Sequence, residues 1–193
     1  PGGFGLLKKS YRNTVEISNF ATEILRHGNF AVYPVEPIQR HGGQVQVTEC
    51  ENEEEMLAET EQNIRNWLQE GRETIAVICR DEEEAAMVSA RLGEKLPLAD
   101  SNLETANFTE GIMVLPVEYT KGLEFDGVLL YHPSAEHYPA EDRYVKLLYV
   151  AATRALHELT VVHQGDLTDL IAKPVSGKKQ MQLLEQERGV KKS

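Results

Sequence analysis

Apolar and polar positions follow two rhythms along this chain. Unbroken runs at 74–79 (Thr-Ile-Ala-Val-Ile-Cys), 112–117 and 128–131 are short and rich in aliphatic and β-branched residues. Runs of this kind mark strands buried on both faces of a sheet. Residues 44–50 alternate instead, with Val45 and Val47 set between polar neighbours, which predicts a strand half exposed or near a sheet edge. Shorter strands are predicted at 4–9 and 159–163. Between them, apolar residues recur at helical spacing. Val15, Ile17, Phe20, Ala21, Ile24 and Leu25 predict a helix capped by Asn13 or Thr14 and stopped by His27-Gly28-Asn29. Met56, Leu57, Ile64, Trp67 and Leu68 predict a helix over 52–70, ended by Gly71. Ala85, Ala86, Val88, Ala90 and Leu92 predict another over 82–94, and a fourth covers 142–156. One closing helical turn is expected at 168–172. Residues 31–43 read as irregular, 96–110 as a connector with a weak strand at most, and 132–141 as a polar loop with two prolines. Strands alternating with helices predict an α/β fold, a mainly parallel sheet with helices on both faces.

Composition narrows the class. The chain has 193 residues, enough for one domain with a core and too few for two ordinary ones. No apolar run is long enough to cross a membrane, so no membrane partner is expected. The start, Pro1-Gly2-Gly3-Phe4-Gly5, lacks the basic and apolar segments of a signal peptide and reads as a cut inside a longer chain. Cys50 and Cys79 adjoin apolar residues and are expected to be buried thiols in a reducing, cytoplasmic compartment. No His/Cys cluster has ligand spacing, and no metal site is expected. The net charge of −11 argues against a surface that embraces nucleic acid everywhere. Part of that charge has a structural use: Glu51 with Glu53 to Glu55, and Asp81 to Glu84, open two predicted helices, where carboxylates complement the dipole. Residues 1–172 are read as the domain. Residues 173–193 are read as a basic tail, disordered or with a short helix around 180–186.

The chemistry gathers in three segments. Between the apolar runs at 112–117 and 128–131, read as paired strands, lie Thr120, Lys121, Gly122, Glu124 and Asp126. Gly122 allows a turn or the close approach of a ligand. Lys121 and Glu124 fall at a strand end, where open α/β sheets bind ligands. A solvated loop with a turn glycine has the same composition. In the fourth helix, Tyr144, Leu147, Leu148, Ala151 and Ala155 form one stripe. Arg154 lies roughly 80° from the centre of that stripe, at its edge, on the last predicted turn. It can project towards a facing surface, or simply complement the helix dipole. Tyr11-Arg12 sits between a predicted strand and a capped helix, a junction where an anion can bind. A ring beside a guanidinium suits a base and its phosphates.

Taken together, Ser10-Tyr11-Arg12-Asn13-Thr14, Tyr119-Thr120-Lys121-Gly122-Leu123-Glu124-Phe125 and Leu148-Tyr149-Val150-Ala151-Ala152-Thr153-Arg154-Ala155 resemble motifs IV, V and VI of the UvrD/Rep-type superfamily 1 helicases. Ile75-Ala76-Val77-Ile78-Cys79-Arg80 resembles the segment these proteins carry between motifs IV and V. The resemblance runs from about residue 6 to 163. It implies the second, C-terminal RecA-like lobe of a two-lobe ATP-driven motor. By match of position, Tyr11 would stack on adenine, and Arg12 and Arg154 would reach the γ-phosphate as the catalytic arginines. Glu124 would hold the ribose, with Gly122 allowing close approach. Tyr119 and Thr120 would touch single-stranded DNA.

The chain holds no Gly-x-x-x-x-Gly-Lys-[Ser/Thr], so nothing in it cradles the phosphates. The resemblance therefore implies that ATP and Mg²⁺ are held mainly by an N-terminal RecA-like lobe of the same protein. The fragment alone is then expected to be inactive. Only about thirty residues separate Arg80 from Ile112, where UvrD and Rep insert an accessory subdomain. That layout is more similar to helicase IV and the HelD-type proteins, some of which act on RNA polymerase, and a HelD-type remodelling ATPase is the rival reading. Glu118 departs from the family, which usually has a histidine there facing single-stranded DNA. A carboxylate repels phosphate.

Overall fold

A computed structural model describes residues 13–30, 40–99 and 111–173. Tyr11, Arg12, the strand expected at 4–9 and the tail beyond 173 lie outside the described residues. Among the described residues, four α-helices and five strands follow one another as α1 (Val15–Leu25), β1 (Gln46–Cys50), α2 (Glu53–Gln69), β2 (Thr74–Cys79), α3 (Glu82–Gly93), β3 (Gly111–Pro116), β4 (Phe125–Tyr131), α4 (Asp142–Ala152) and β5 (Ala155–Gln164).

Three helices start where a polar side chain supplies the missing partner of a first-turn N–H. Thr14 accepts from Ile17 at 3.3 Å, Asn52 from Glu55 at 2.9 Å and Asp81 from Glu84 at 2.8 Å. Glu55 and Glu84 then reach back, accepting the N–H of Glu51 and of Arg80. That reciprocal bonding resembles a capping box and explains why both acidic runs open helices. The α2 helix ends as expected: Gly71 has φ +88°, a conformation that glycine adopts without a Cβ penalty.

The strands form one parallel sheet in the order β1-β5-β4-β2-β3. Alternation along β2 shows how the sheet divides the core. Ile75, Val77 and Cys79 face one side, with Met56, Ile64 and Trp67 of α2 and Val88 and Leu92 of α3. Ala76 and Ile78 face the other, with Ile17, Ile24 and Leu25 of α1 and Val145 and Leu148 of α4. Both faces are thus covered, which is the three-layer α/β arrangement the pattern predicted. The half-exposed β1 lies at a sheet edge, also as predicted.

Four details differ from the sequence reading. The runs at 112–117 and 128–131 are not neighbours, because β2 lies between them and pairs in parallel with both. The α4 helix stops at Ala152, not at 156, and β5 begins at Ala155, not at 159. Here Thr153 turns its hydroxyl onto the carbonyls of Tyr149 and Val150, and Asn13 takes the carbonyls of Thr153 and Ala155 out of any helical ladder. The buried face of α4 is Val145, Leu148, Tyr149, Ala151 and Ala152, turned from the predicted stripe. Finally, residues 168–172 make a turn without a helix: Thr168 bonds the carbonyl of Tyr138 instead of a helical neighbour.

Candidate functional site

Because β3 and β4 both run parallel to β2, residues 117–124 must travel from the carboxyl edge of the sheet to its amino edge. Pro116 lies opposite Cys79 at the end of β2, whereas Gly127 lies opposite Ile75 near its start. Glu124 therefore sits at the amino end of β4. The strand end expected to bind a ligand is the opposite one from the carboxyl edge that open α/β sheets ordinarily use. The turn on this path needs Gly122, whose φ is +83°, with nothing within 4 Å of where a Cβ would stand.

The same amino edge receives Arg154. It lies two residues beyond α4, in the turn before β5, not on the helix's last turn as the extended helix implied. Its backbone carbonyl accepts from Phe125 N at 2.9 Å, which ties the start of β4 to the start of β5. The side chain is half-buried and braced on oxygens. Nε donates to Val150 O at 2.9 Å, Nη1 to Leu123 O at 3.2 Å and Nη2 to Thr153 Oγ1 at 3.2 Å. A guanidinium has five N–H donors. These three bonds leave two donors without a partner among the described residues. Burial pulls the guanidinium pKa down from its ordinary value, and the charge of Glu124 works against that pull. The group stays protonated regardless.

A third segment enters beside them. Asn13 is buried, and its Nδ2 donates to Thr153 O at 3.0 Å and to Ala155 O. The sequence offered it only as an alternative helix cap; Thr14 takes that role. Its long-range role left no local signal, since the acceptors lie 140 and 142 residues away. The residue that precedes Asn13 in the chain is Arg12. So the Glu124 and Arg154 segments are brought together, and the described part of the Arg12 segment begins against them.

Next to this cluster, Asp126 clasps the start of β2. Its Oδ2 accepts from the N–H of Glu73 and of Thr74, and Thr74 Oγ1 accepts the N–H of Asp126. Burial alone would raise the Asp126 pKa; the two N–H bonds, together with His157 and the Thr74 side chain, outweigh it and hold the carboxyl below its ordinary value.

Residues 111–162 match the family model of the UvrD-like helicase C-terminal domain. That span contains the Tyr119-to-Phe125 and Leu148-to-Ala155 segments. The fold also matches the crystal structure of the C-terminal domain of a possible DNA helicase from Lactobacillus plantarum WCFS1. The two share 29% identity with a TM-score of 0.70, over 84% of this chain and 92% of that one. No curated protein matches the chain. The α/β fold is therefore that of a helicase C-terminal domain.

The other predicted contacts sit elsewhere. Glu118 and Tyr119 lie on a 3-10 turn, Val117–Tyr119, just past β3 at the carboxyl edge. Tyr119 is exposed, and its hydroxyl donates to Glu82 at 2.9 Å, which raises the phenol pKa. Glu118 pairs with Arg143 at 3.4 Å on the surface. The Thr120 side chain is fully buried, and its hydroxyl donates to Val117 O at 2.8 Å, closing that turn. Arg80 is engaged by Asp81, Glu84 and His137. No helix among the described residues is long and apolar enough to cross a membrane.

Proposed function

We propose that this chain is the C-terminal motor lobe of an ATP-dependent superfamily 1 DNA helicase, and that its amino edge meets a nucleotide held mainly by an N-terminal RecA-like lobe. The observation that carries the reading is Arg154: braced on Val150, Thr153 and Leu123, with two N–H donors directed at nothing described. A guanidinium fixed in this way meets an incoming phosphoryl oxygen without first losing rotamer freedom. Arg12 is the second γ-phosphate contact and Tyr11 the adenine platform; Asn13, the next residue in the chain, bonds the carbonyls of Thr153 and Ala155 on either side of Arg154. Glu124, exposed at the start of β4, accepts from the ribose, and the bare backbone at Gly122 admits the sugar. Mg²⁺ is held by the N-terminal lobe. Tyr119 offers an exposed ring to a single strand, and Thr120 holds the turn that presents it.

The test is turnover by the complete protein. Arg154→Ala is expected to lower ATP hydrolysis by about 10³-fold or more, the range of an arginine finger, while circular dichroism stays native. Turnover near wild type with an intact fold would refute the assignment.

A second reading rests on Glu118. Its carboxylate and its ion pair with Arg143 stand where DNA-tracking relatives usually carry a histidine. Together with the short connection between Arg80 and Ile112, this favours a helicase IV- or HelD-type layout, in which the lobe serves a remodelling ATPase acting on RNA polymerase. Unwinding by the complete protein, without polymerase binding, decides for the first reading.

A further inference from the structure

The turn between α4 and β5 consists of Thr153 and Arg154, and every polar group of its backbone is fixed. Thr153 N donates to Tyr149 O at 3.0 Å, and Arg154 N donates to Ala151 O at 3.2 Å. Thr153 O accepts from Asn13 Nδ2 at 3.0 Å, and Arg154 O accepts from Phe125 N at 2.9 Å. The path of the chain is therefore set by α4, β4 and Asn13 before either side chain is considered.

Thr153 adds a side chain that is 6% exposed. A threonine hydroxyl has one proton to donate and two lone pairs that accept. Here the proton is directed at the end of α4, with Tyr149 O at 2.9 Å and Val150 O at 3.0 Å. Carbonyls cannot donate in return, so the polarity of the hydroxyl is fixed. Its lone pairs are left for Arg154 Nη2, 3.2 Å away. Val150 O also accepts from Arg154 Nε at 2.9 Å. Nε and Nη2 form one edge of the guanidinium fork, and two oxygens grip that edge, one from the helix and one from Thr153. Leu123 O takes Nη1. One N–H is left on each terminal nitrogen. Of the three braces, only the hydroxyl belongs to a side chain, so it alone can be removed while the backbone bonds stay.

We propose that Thr153 is a positioning residue for ATP hydrolysis: its hydroxyl holds the Nε–Nη2 edge of Arg154 so that the remaining N–H of each terminal nitrogen is presented to a phosphoryl oxygen. The inference rests on the proposed role of Arg154 at the γ-phosphate. Thr153 touches no nucleotide. It keeps the guanidinium in one orientation, so that little reorganisation is needed as charge develops on the phosphoryl oxygens.

The test compares variants of the complete protein. Thr153→Val keeps the branched shape and loses the hydroxyl, whereas Thr153→Ser keeps the hydroxyl. Thr153→Val is expected to lower kcat for ATP hydrolysis about tenfold, the lower end for a hydrogen bond to a charged group, with a smaller change in KM because the nucleotide is held mainly by the other lobe. Thr153→Ser is expected to recover most of that loss. In an Arg154→Ala background, Thr153→Val is expected to do nothing further, because a residue that acts through the guanidinium has nothing left to position. A residue that only stabilised the turn would add its own loss. Near-normal kcat in Thr153→Val, a loss that serine does not recover, or additive losses in the double variant overturn this inference alone. Normal turnover in Arg154→Ala overturns the γ-phosphate reading and this inference with it. NMR of the 193-residue chain reads the grip without nucleotide: Arg154 Nε–H is expected to exchange slowly with solvent, and faster in Thr153→Val. Exchange in the unsubstituted chain as fast as that of an exposed arginine overturns the grip.

Discussion

Asn13→Ala tests whether one amide clasps the Asn13 segment to the distant turn between α4 and β5. Asn13 is 2% exposed, and its Nδ2 is shared between Thr153 O and Ala155 O. Truncation strands two carbonyls in a dry site, at about 1–3 kcal/mol each. Part of that loss is offset, because Asn13 Oδ1 is itself buried without a partner and is removed by the same change. The net expected cost is about 2–3 kcal/mol. A chain of this size loses about 2–4 °C of melting temperature per kcal/mol, so the midpoint should fall by about 5–10 °C. Thr14→Ala is the internal standard. It removes the cap bond to Ile17, worth about 1 kcal/mol, and one buried methyl group beside Gly42, worth about 0.8 kcal/mol. Thermal and urea denaturation of both variants give the comparison. If Asn13→Ala costs no more than Thr14→Ala, the amide is an ordinary end-of-helix group and the clasp between the two segments is wrong. If the clasp is right, Asn13→Ala should also lower turnover of the complete protein, by loosening the loop that holds Arg154.

Three further outcomes are expected. Gly127→Ala places a Cβ 2.8 Å from Cε3 of Trp67, a ring packed between α2 and the sheet, and should cost about 1–3 kcal/mol with a shifted tryptophan emission; unchanged stability and emission would contradict this packing. Burial lowers the pKa of His132, His157 and His163, so unfolded chains take up their protons first as pH falls. Stability contributed above the ordinary value of 6.5 is then lost below it, and the urea midpoint should be lower at pH 5 than at pH 7.5; a midpoint that holds or rises on acidification contradicts it. Glu118→His frees Arg143 from its surface pair and should raise affinity for single-stranded DNA at low salt, which a fluorescence anisotropy titration would detect; equal affinity means that this loop faces no strand.

Much of the fold was legible because its signals are local. Caps, acidic first turns and the positive-φ glycine act over four residues or fewer, and β2 to β4 announce themselves as apolar runs. What escaped depends on distant partners. The run from Tyr144 to Ala155 keeps helical spacing past Ala152, so periodicity alone carries α4 too far. The stop comes from Thr153 folding onto its own helix and from Asn13, far away in sequence. Strand order is hidden for the same reason: no feature of 112–131 shows that β2 slips between the two apolar runs. That order decides which edge Glu124 occupies. The sequence therefore named Glu124 and Arg154 as partners but placed Glu124 at the wrong end of the sheet. Thr120 and Tyr119 look alike as polar turn residues, yet burial separates them completely.

The parallel sheet gives its two edges opposite electrostatic characters, and the charged residues follow them. At the amino edge α4 ends, and the carbonyl of Val150 in its last turn is one of the acceptors a helix leaves unmatched. A helix C-terminus favours a cation, and Arg154 Nε occupies that carbonyl. At the carboxyl edge α2 and α3 begin, and their N-termini would ordinarily invite an anion. Here Glu53 to Glu55 and Glu82 to Glu84 already occupy those first turns. A phosphate approaching that edge meets carboxylates where other α/β folds present bare N–H groups. Any anion met by this sheet would be left to a side chain on the opposite edge. An arginine held there by two carbonyls and a hydroxyl, and not by a carboxylate hydrogen bond, keeps its positive charge available to a partner. On the proposed reading, that is the physical reason a phosphoryl group would be met at the amino edge and not at the acidic carboxyl edge.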